Sequence, residues 1–190
     1  RPFLMKRSWG ERLGDRFLRE FILESNAVEG YAGVGCGEIS DFFLCHYNAF
    51  LAMLQAVEGG RMPEPLELQT ILFERNYPEL IGFRQRDITV DGWKPPSHKL
   101  VPALIAGWKR ALCLEGEPGR GGTARVAERH HYHFESIHPF LDGNGRTGRL
   151  LWAAHSMLLG VKPVIIMRGE REGYFDRIRE WRAENFPALL

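Results

Sequence analysis

The chain has 190 residues, of which 44% are hydrophobic, and this is enough to bury one sizeable core. Its 25 basic residues almost balance its 24 acidic ones, which leaves a formal net charge of +1. This balance argues against a general nucleic-acid or membrane-surface binder, because such proteins carry a marked excess of basic charge. No apolar run approaches the roughly 20 residues of a membrane-spanning helix.

The three cysteines, Cys36, Cys45 and Cys113, are widely spaced and form no C-x-x-C pair. Such a set is not typical of a disulfide framework or of a thiolate zinc site. We therefore expect a reducing, cytoplasmic environment. The oligomeric state stays open at this stage, and a homo-oligomer is compatible with the sequence.

Hydrophobic periodicity predicts a mainly helical fold. Residues 81–96 are the exception, because the β-branched run 88–90 and the following Asp-Gly turn predict a small β-hairpin. A polar, glycine-rich connection at 115–122 is expected to be mobile. Helices are predicted at residues 13–28, 38–57, 65–75, 100–113, 124–137 and 174–184. A further helix is predicted to follow the loop that begins at His138 and to end at Gly160.

Residues 138–149, His-Pro-Phe-Leu-Asp-Gly-Asn-Gly-Arg-Thr-Gly-Arg, combine a base, a carboxylate, three glycines and two arginines in one loop. The glycines let backbone N–H groups turn toward an anion, and the helix that follows adds its dipole. Arg146 and Arg149 lie three apart, so both guanidinium groups can reach one side of the first helical turn. The loop therefore predicts a polyphosphate site.

Two further side chains of this loop add chemistry to it. Asp142 offers a hard oxygen ligand, which suits a magnesium ion that is shared with phosphates. His138 lies at the end of a helix, just before Pro139, where it could take a proton from an incoming hydroxyl.

Two other interpretations of this region are weaker. The glycines formally match the G-x-G-x-x-G pattern of dinucleotide sites, but that pattern needs a buried strand before it, and residues 124–137 are helical in period. The histidines at 130, 131 and 133, with Glu135 and His138, could bind zinc, but their spacing lacks an H-E-x-x-H motif. A mixture of core and surface histidines is favoured.

The segment 137–149 resembles the signature of Fic (Fido) domain proteins, HPFx(D/E)GNGRxxR, at every fixed position. The resemblance extends to Gly82-Phe83-Arg84 and the hairpin that follows, which are similar to the family's flap, and to the aromatic pair Tyr174-Phe175. It covers roughly residues 13–180. It implies an all-α core with a small β-hairpin flap, and transfer of AMP from ATP to a Ser, Thr or Tyr hydroxyl of a protein, with Mg²⁺ as cofactor.

The resemblance also implies a role for each matched position. His138 would be the base, Phe140 would pack into the core, and Asp142 would hold Mg²⁺. The loop would bind the phosphates, the flap would line the nucleotide, and the flap's exposed edge would hold the target protein as an added strand. The implied nucleotide-binding residues are Asp142, Gly143, Asn144, Gly145, Arg146, Thr147, Gly148 and Arg149 in the loop, Val90, Asp91, Gly92 and Trp93 in the flap, and Tyr174 and Phe175.

A second motif, Ser25-Asn-Ala-Val-Glu29-Gly30, is similar to the family's inhibitory motif (S/T)xxxE(G/N) in members with an autoinhibitory helix (class II). It implies that Glu29 pairs with Arg149 and so displaces the γ-phosphate. The implied organisation is an N-terminal segment with the inhibitory helix at 1–34 and a Fic domain at 35–190, with the flap at about 82–96.

Two positions depart from the family's pattern: Ile81 stands where proline often precedes the flap glycine, and Arg182 stands where asparagine often follows the aromatic pair. The interpretation is an autoinhibited protein adenylyltransferase. Its rivals are a hydrolase that removes AMP with the help of Glu29, a transferase with another nucleotide or diphosphate donor, and a catalytically silent binding module. No nucleic-acid role is indicated.

Overall fold

The computed structural model describes residues 8–31, 41–115 and 124–186, and this part of the chain is built from α-helices without a β-strand. The all-α prediction is confirmed. Short 3₁₀ segments lie at Pro78–Leu80, His98–Leu100 and Arg168–Glu170. The helices are α1 (Trp9–Val28), α2 (Asp41–Glu58), α3 (Pro65–Phe73), α4 (Val101–Glu115), α5 (Ala124–Ile137), α6 (Asn144–Leu158) and α7 (Arg171–Asn185).

Helix α6 lies at the centre of the fold, with α1, α2, α3 and α5 packed against it. Every residue from Arg146 to Met157 is buried, as expected of a helix that is covered on all sides. The surrounding core includes Phe50, Phe73 and Phe134. Because α6 begins directly after the loop at 138–143, a helix that is buried along most of its length holds this loop in place.

Helix α1 is longer than the predicted helix at 13–28. Ser8 and Glu11 form a capping box that starts the helix at Trp9. The side chain of each residue accepts a hydrogen bond from the backbone N–H of the other. Gly14 interrupts the regular geometry with a φ of 72°. The helix packs against α2 and α6, so its last turn lies beside the loop that precedes α6.

The β-hairpin that was predicted at 81–96 does not form, and only its turn is present. Asp91 and Gly92 both have positive φ, at 47° and 79°, as a type I′ turn requires. Val90 and Trp93 exchange two backbone hydrogen bonds of 2.8 and 2.9 Å across this turn. The ladder stops there, since Pro95 and Pro96 have no N–H to donate.

Several sequence expectations fall on residues that the structure does not describe: the start of the second helix at 38–40, Cys36, and all of the connection predicted at 115–122 except Glu115, which ends α4. Helix α5 has the predicted bounds 124–137. Cys45 is a free, buried thiol. Within the described ranges, no helix combines the length and the apolar character needed to cross a bilayer.

Candidate active site

His138 lies where the chain leaves α5, and its backbone has the left-handed φ of 50°, which is uncommon for a residue with a side chain. Burial lowers the pKa of His138 to about 4, although a hydrogen bond to the backbone carbonyl of Glu135 acts in the opposite direction. The imidazole is therefore neutral near pH 7, which is the state that can accept a proton.

The loop between α5 and α6 is closed by its own residues. The Asn144 side chain accepts the N–H of Phe140 at 2.9 Å and donates to its carbonyl at 3.0 Å. Phe140 is fully buried, as the resemblance implied. At Gly143, a Cβ atom would lie 2.3 Å from the Phe73 ring, and φ is 83°. Only glycine fits there without strain.

The carboxylate of Glu29 occupies the concave face at the start of α6. A Cβ atom at Gly145 would lie 2.1 Å from Glu29 Oε1, so the carboxylate rests on the glycine backbone at the first turn of the helix. Arg149 Nη2 donates to the same oxygen at 2.8 Å. The N-terminal end of α6 thus already holds an anion, supplied by the chain itself.

Arg149 is buried and bound from several sides. Its Nε donates to Ser25 Oγ at 2.9 Å and its Nη2 donates to the Ser25 carbonyl at 2.8 Å. Burial by itself would lower the pKa of Arg149, but the negative charge of Glu29 holds it above its ordinary value. The predicted pairing of Glu29 with Arg149 is confirmed, and Ser25 belongs to the same contact.

Arg146 and Asp142 lie on the other side of the loop. Their closest polar atoms, Arg146 Nη2 and Asp142 Oδ1, are 3.9 Å apart, which is too long for a hydrogen bond. The Asp142 carboxylate accepts the N–H of Gly143 and is partly exposed. A single exposed carboxylate beside a phosphate cradle fits Mg²⁺, which usually completes its shell with phosphate and water. The described residues contain no cluster of three or more metal-ligating side chains.

A small cavity of about 120 Å³ opens beside His138, between the flap and α7. Trp93 and Phe175 line it, and the guanidinium of Arg182 lies 3.5 Å from the centroid of the Trp93 ring. Burial lowers the pKa of Arg182 to about 10. Val90 and Asp91 complete the flap side, so three of the four predicted flap residues and Phe175 of the aromatic pair meet next to His138.

Some predicted binding residues face away from the cradle. Thr147 is fully buried. Gly148 faces α5, where a Cβ atom would lie 2.1 Å from Glu135 Oε1. Tyr174 is buried behind Arg149 and shares a 2.8 Å hydrogen bond with His131 Nε2. These residues support the site from behind.

Sequence reasoning missed the role of two buried side chains. Arg84 donates to the carbonyl of His138 at 2.9 Å and also to that of Pro96, which ties the flap to the loop. Glu135 lies between Gly148 and the cavity, and burial raises its pKa to about 8. Neither role has a local sequence signal, because each depends on residues brought together by the fold.

Comparisons with known proteins identify the family of part of the chain. Residues 64–155 match the Fic/DOC family, so the chain carries a Fic/DOC domain. A protein of Drosophila ananassae named protein adenylyltransferase Fic is 37% identical over 97 residues, which are 51% of this chain and 19% of that protein. One of Culex quinquefasciatus with the same name is 36% identical over an equal stretch. The chain thus spans only about a fifth of these relatives.

Solved structures of Fic proteins share the fold. A Fic domain containing signaling protein from Bacteroides thetaiotaomicron superposes with a TM-score of 0.78 at 21% identity, over 89% of this chain and 73% of that one. Fic-1 from C. elegans gives 0.69 at 18% identity, over 96% of this chain and 61% of that one. At these identities the likeness establishes the fold alone.

Proposed function

We propose that the chain transfers AMP from ATP to a Ser, Thr or Tyr hydroxyl of a protein, and that Glu29 inhibits this reaction. The observation that carries the proposal is the Glu29 carboxylate, which rests on Gly145 and pairs with Arg149 at 2.8 Å. A carboxylate held at this position supports the loop as a site for the phosphates of ATP. The names of the Drosophila and Culex relatives support the same reaction class.

In this reaction His138 removes the proton from the target hydroxyl, since its imidazole is neutral and lies beside the cavity. The hydroxyl oxygen forms a bond to the α-phosphorus of ATP. The bond between the α-phosphorus and the oxygen that bridges to the β-phosphate breaks, and pyrophosphate leaves with that oxygen. Backbone N–H groups and Arg149 stabilise the phosphate charge, so the protein contributes positioning and electrostatics.

Asp142 is the residue that would hold Mg²⁺. When bound, the ion would neutralise charge on the phosphates and help orient them.

Glu29 inhibits because its carboxylate takes the guanidinium that a terminal phosphate needs and repels the phosphate itself. The segment is firmly placed: Asn26 of α1 bonds the buried His46 of α2 at 2.9 Å. Glu24, also on α1, accepts the N–H of Arg168 at 2.7 Å. These two contacts hold the end of α1, and with it Glu29, against the site.

We also propose that the target protein binds along the flap. The support for this is the exposure of Gln85, Arg86 and Asp87, which lie between the Arg84 tie and the turn at 90–93. A target segment could pair with this backbone, as extended peptides pair with exposed edges.

The test is an intact-mass measurement after incubation with Mg²⁺ and ATP. Glu29→Gly should gain AMP or transfer it to a protein in a lysate, whereas wild type and Glu29→Gly/His138→Ala should not. Glu20→Gly is the control, because it removes a carboxylate and adds backbone freedom within α1 itself, away from the site.

Equal activity of Glu20→Gly would attribute activation to a loosened helix and contradict inhibition by the carboxylate. If no variant gains mass, transfer of AMP is excluded. Removal of AMP from a modified protein, or another nucleotide donor, would then be tested with the same variants.

A further inference from the structure

Arg146 is enclosed between two aromatic rings that come from different parts of the chain. Its guanidinium carbon lies 4.9 Å from the centroid of the Phe73 ring and 4.9 Å from that of the Tyr31 ring. Phe73 belongs to α3 and lies under the loop. Tyr31 follows α1 and is 41% exposed, so it forms the outer cover of a side chain that is itself only 1% exposed.

The end of α1 fixes the position of Tyr31. Gly30 has a φ of 86°, and its N–H bonds the Ala27 carbonyl at 3.0 Å, while the N–H of Tyr31 bonds the Asn26 carbonyl at 3.1 Å. These two bonds form a Schellman motif. The Tyr31 ring also stacks on Phe42, with centroids 5.1 Å apart. The ring is thus held from two sides.

The guanidinium of Arg146 has hydrogen-bonding capacity that the described residues do not use. Its Nε and Nη2 are buried and have no hydrogen-bond partner. The ring of Tyr31 offers attraction to a cation but no acceptor for these N–H groups. A buried donor without an acceptor is costly, so phosphate oxygens would bind Arg146 favourably once the ring moves aside.

We propose that Tyr31 determines how strongly this site discriminates between nucleotides by phosphate-chain length. It covers Arg146 in the free protein and must move before the terminal phosphates can bind. The inference rests on the proposed function, in which the loop binds a nucleoside triphosphate. The contact of Tyr31 is separate from that of Glu29. The Glu29 carboxylate contacts Arg149 and Gly145, whereas the Tyr31 ring covers Arg146.

The consequence is a selective effect on binding. A contact that exists only in the free protein weakens the binding of any ligand that must break it. AMP has no terminal phosphate to place at Arg146, so it does not need to displace the ring. ATP does, and the replacement of Glu29 alone leaves the ring of Tyr31 in place.

The experiment measures calorimetric affinities for ATP, ADP and AMP with Mg²⁺ in a Glu29→Gly background. Tyr31→Ala should bind ATP roughly 2- to 30-fold more tightly, the range expected when a cation–π contact is no longer broken, with AMP affinity unchanged. Tyr31→Phe keeps the ring and should match its parent. Tyr77→Ala is the matched control, because Tyr77 is 42% exposed and its ring contacts the same Phe42 ring at a tilt, with centroids 6.0 Å apart.

Three results for Tyr31→Ala would overturn the inference: unchanged ATP affinity, an equal gain in AMP affinity, or weaker ATP binding. The last would mean that Tyr31 orients Arg146 for phosphate. An effect of Tyr77→Ala equal to that of Tyr31→Ala would contradict the inference as well. The readout is binding, so it is independent of transfer. A selective gain for ATP without any AMP transfer would refute the proposed reaction alone, and transfer without the gain would refute the role of Tyr31 alone.

Discussion

The loop at 138–149 and the flap at 82–96 meet at His138, but they are held in different ways. The loop closes on itself, since Asn144 binds the backbone of Phe140 through two hydrogen bonds. The flap has one bridged turn, and its other connections reach different segments, through the backbone N–H of Arg84, which bonds the Pro139 carbonyl at 2.9 Å, and through side chains. The loop is therefore rigid by local chemistry, while the shape of the flap is imposed by its neighbours.

Loss of Arg84 should have the largest effect, because this side chain joins the two segments. Arg84→Ala leaves the carbonyls of His138 and Pro96 without this donor, and we expect a loss of about 3–5 kcal/mol in the free energy of unfolding. Arg84→Lys keeps the charge but not the forked donors of the guanidinium, so its free energy of unfolding should lie between those of wild type and Arg84→Ala. Urea denaturation measures both.

The neighbouring Arg86→Ala is the control for this experiment, since Arg86 is exposed and its loss should change stability by less than about 0.5 kcal/mol. If Arg84→Ala were as stable as Arg86→Ala, the flap would not depend on this tie.

Two glycines with positive φ test the same contrast. Gly143→Ala would place a Cβ atom 2.3 Å from Phe73, whereas Gly92→Ala meets no atom within 4 Å. Both substitutions strain the backbone, but only the first also overpacks the core. We expect losses of about 3–4 kcal/mol at 143 and about 1 kcal/mol at 92. Thermal denaturation measures both losses. Equal losses would mean that backbone strain alone determines the destabilisation, and that the contact with Phe73 contributes nothing.

This contrast explains what could be predicted from the sequence. The loop was recognised because its chemistry lies within twelve consecutive residues, and α5 was placed correctly because its period is local. The turn at Asp91-Gly92 was also predicted, since its residue types favour positive φ. Glu29 was paired with Arg149 through the resemblance to a known inhibitory motif.

The rest depends on contacts between distant residues. The strands of the flap were wrongly predicted, because Arg84 and the two prolines replace the ladder by side-chain bonds. The ring of Tyr31 over Arg146 has no sequence pattern, since 115 positions separate the two residues. The raised pKa of Glu135 follows from burial, which a sequence does not show for a charged residue.

Glu135 makes the support behind the loop sensitive to pH. Burial raises its pKa to about 8, with Arg149 acting to lower it, Glu29 to raise it and Arg182 to lower it. His131 Nδ1 lies 3.9 Å away. A carboxyl group with a raised folded-state pKa binds more protons in the folded state than in the unfolded state. Its contribution therefore lowers stability as the pH rises from about 4.5 to about 8.

Glu135→Gln should remove this pH dependence. Above pH 8 the variant should exceed wild type by about 3–5 kcal/mol in the free energy of unfolding, and the difference should vanish below about pH 4.5. Urea denaturation across this range measures the difference. Glu180→Gln, which removes an exposed carboxylate on α7, is the control. A constant difference across the range would show that Glu135 is already ionised in the folded protein.

The smallest expected effect concerns the contact of the flap with α7. Arg182→Ala removes the guanidinium that stacks on Trp93, and we expect a loss of about 0.5–2 kcal/mol. Hydrogen exchange should accelerate at 90–93, because only the turn's own bonds then hold it, while exchange in the loop stays unchanged. Arg179→Ala, on the same helix but paired with Asp176, should leave both segments unaffected. Faster exchange in the loop as well would show that the loop, too, depends on its neighbours.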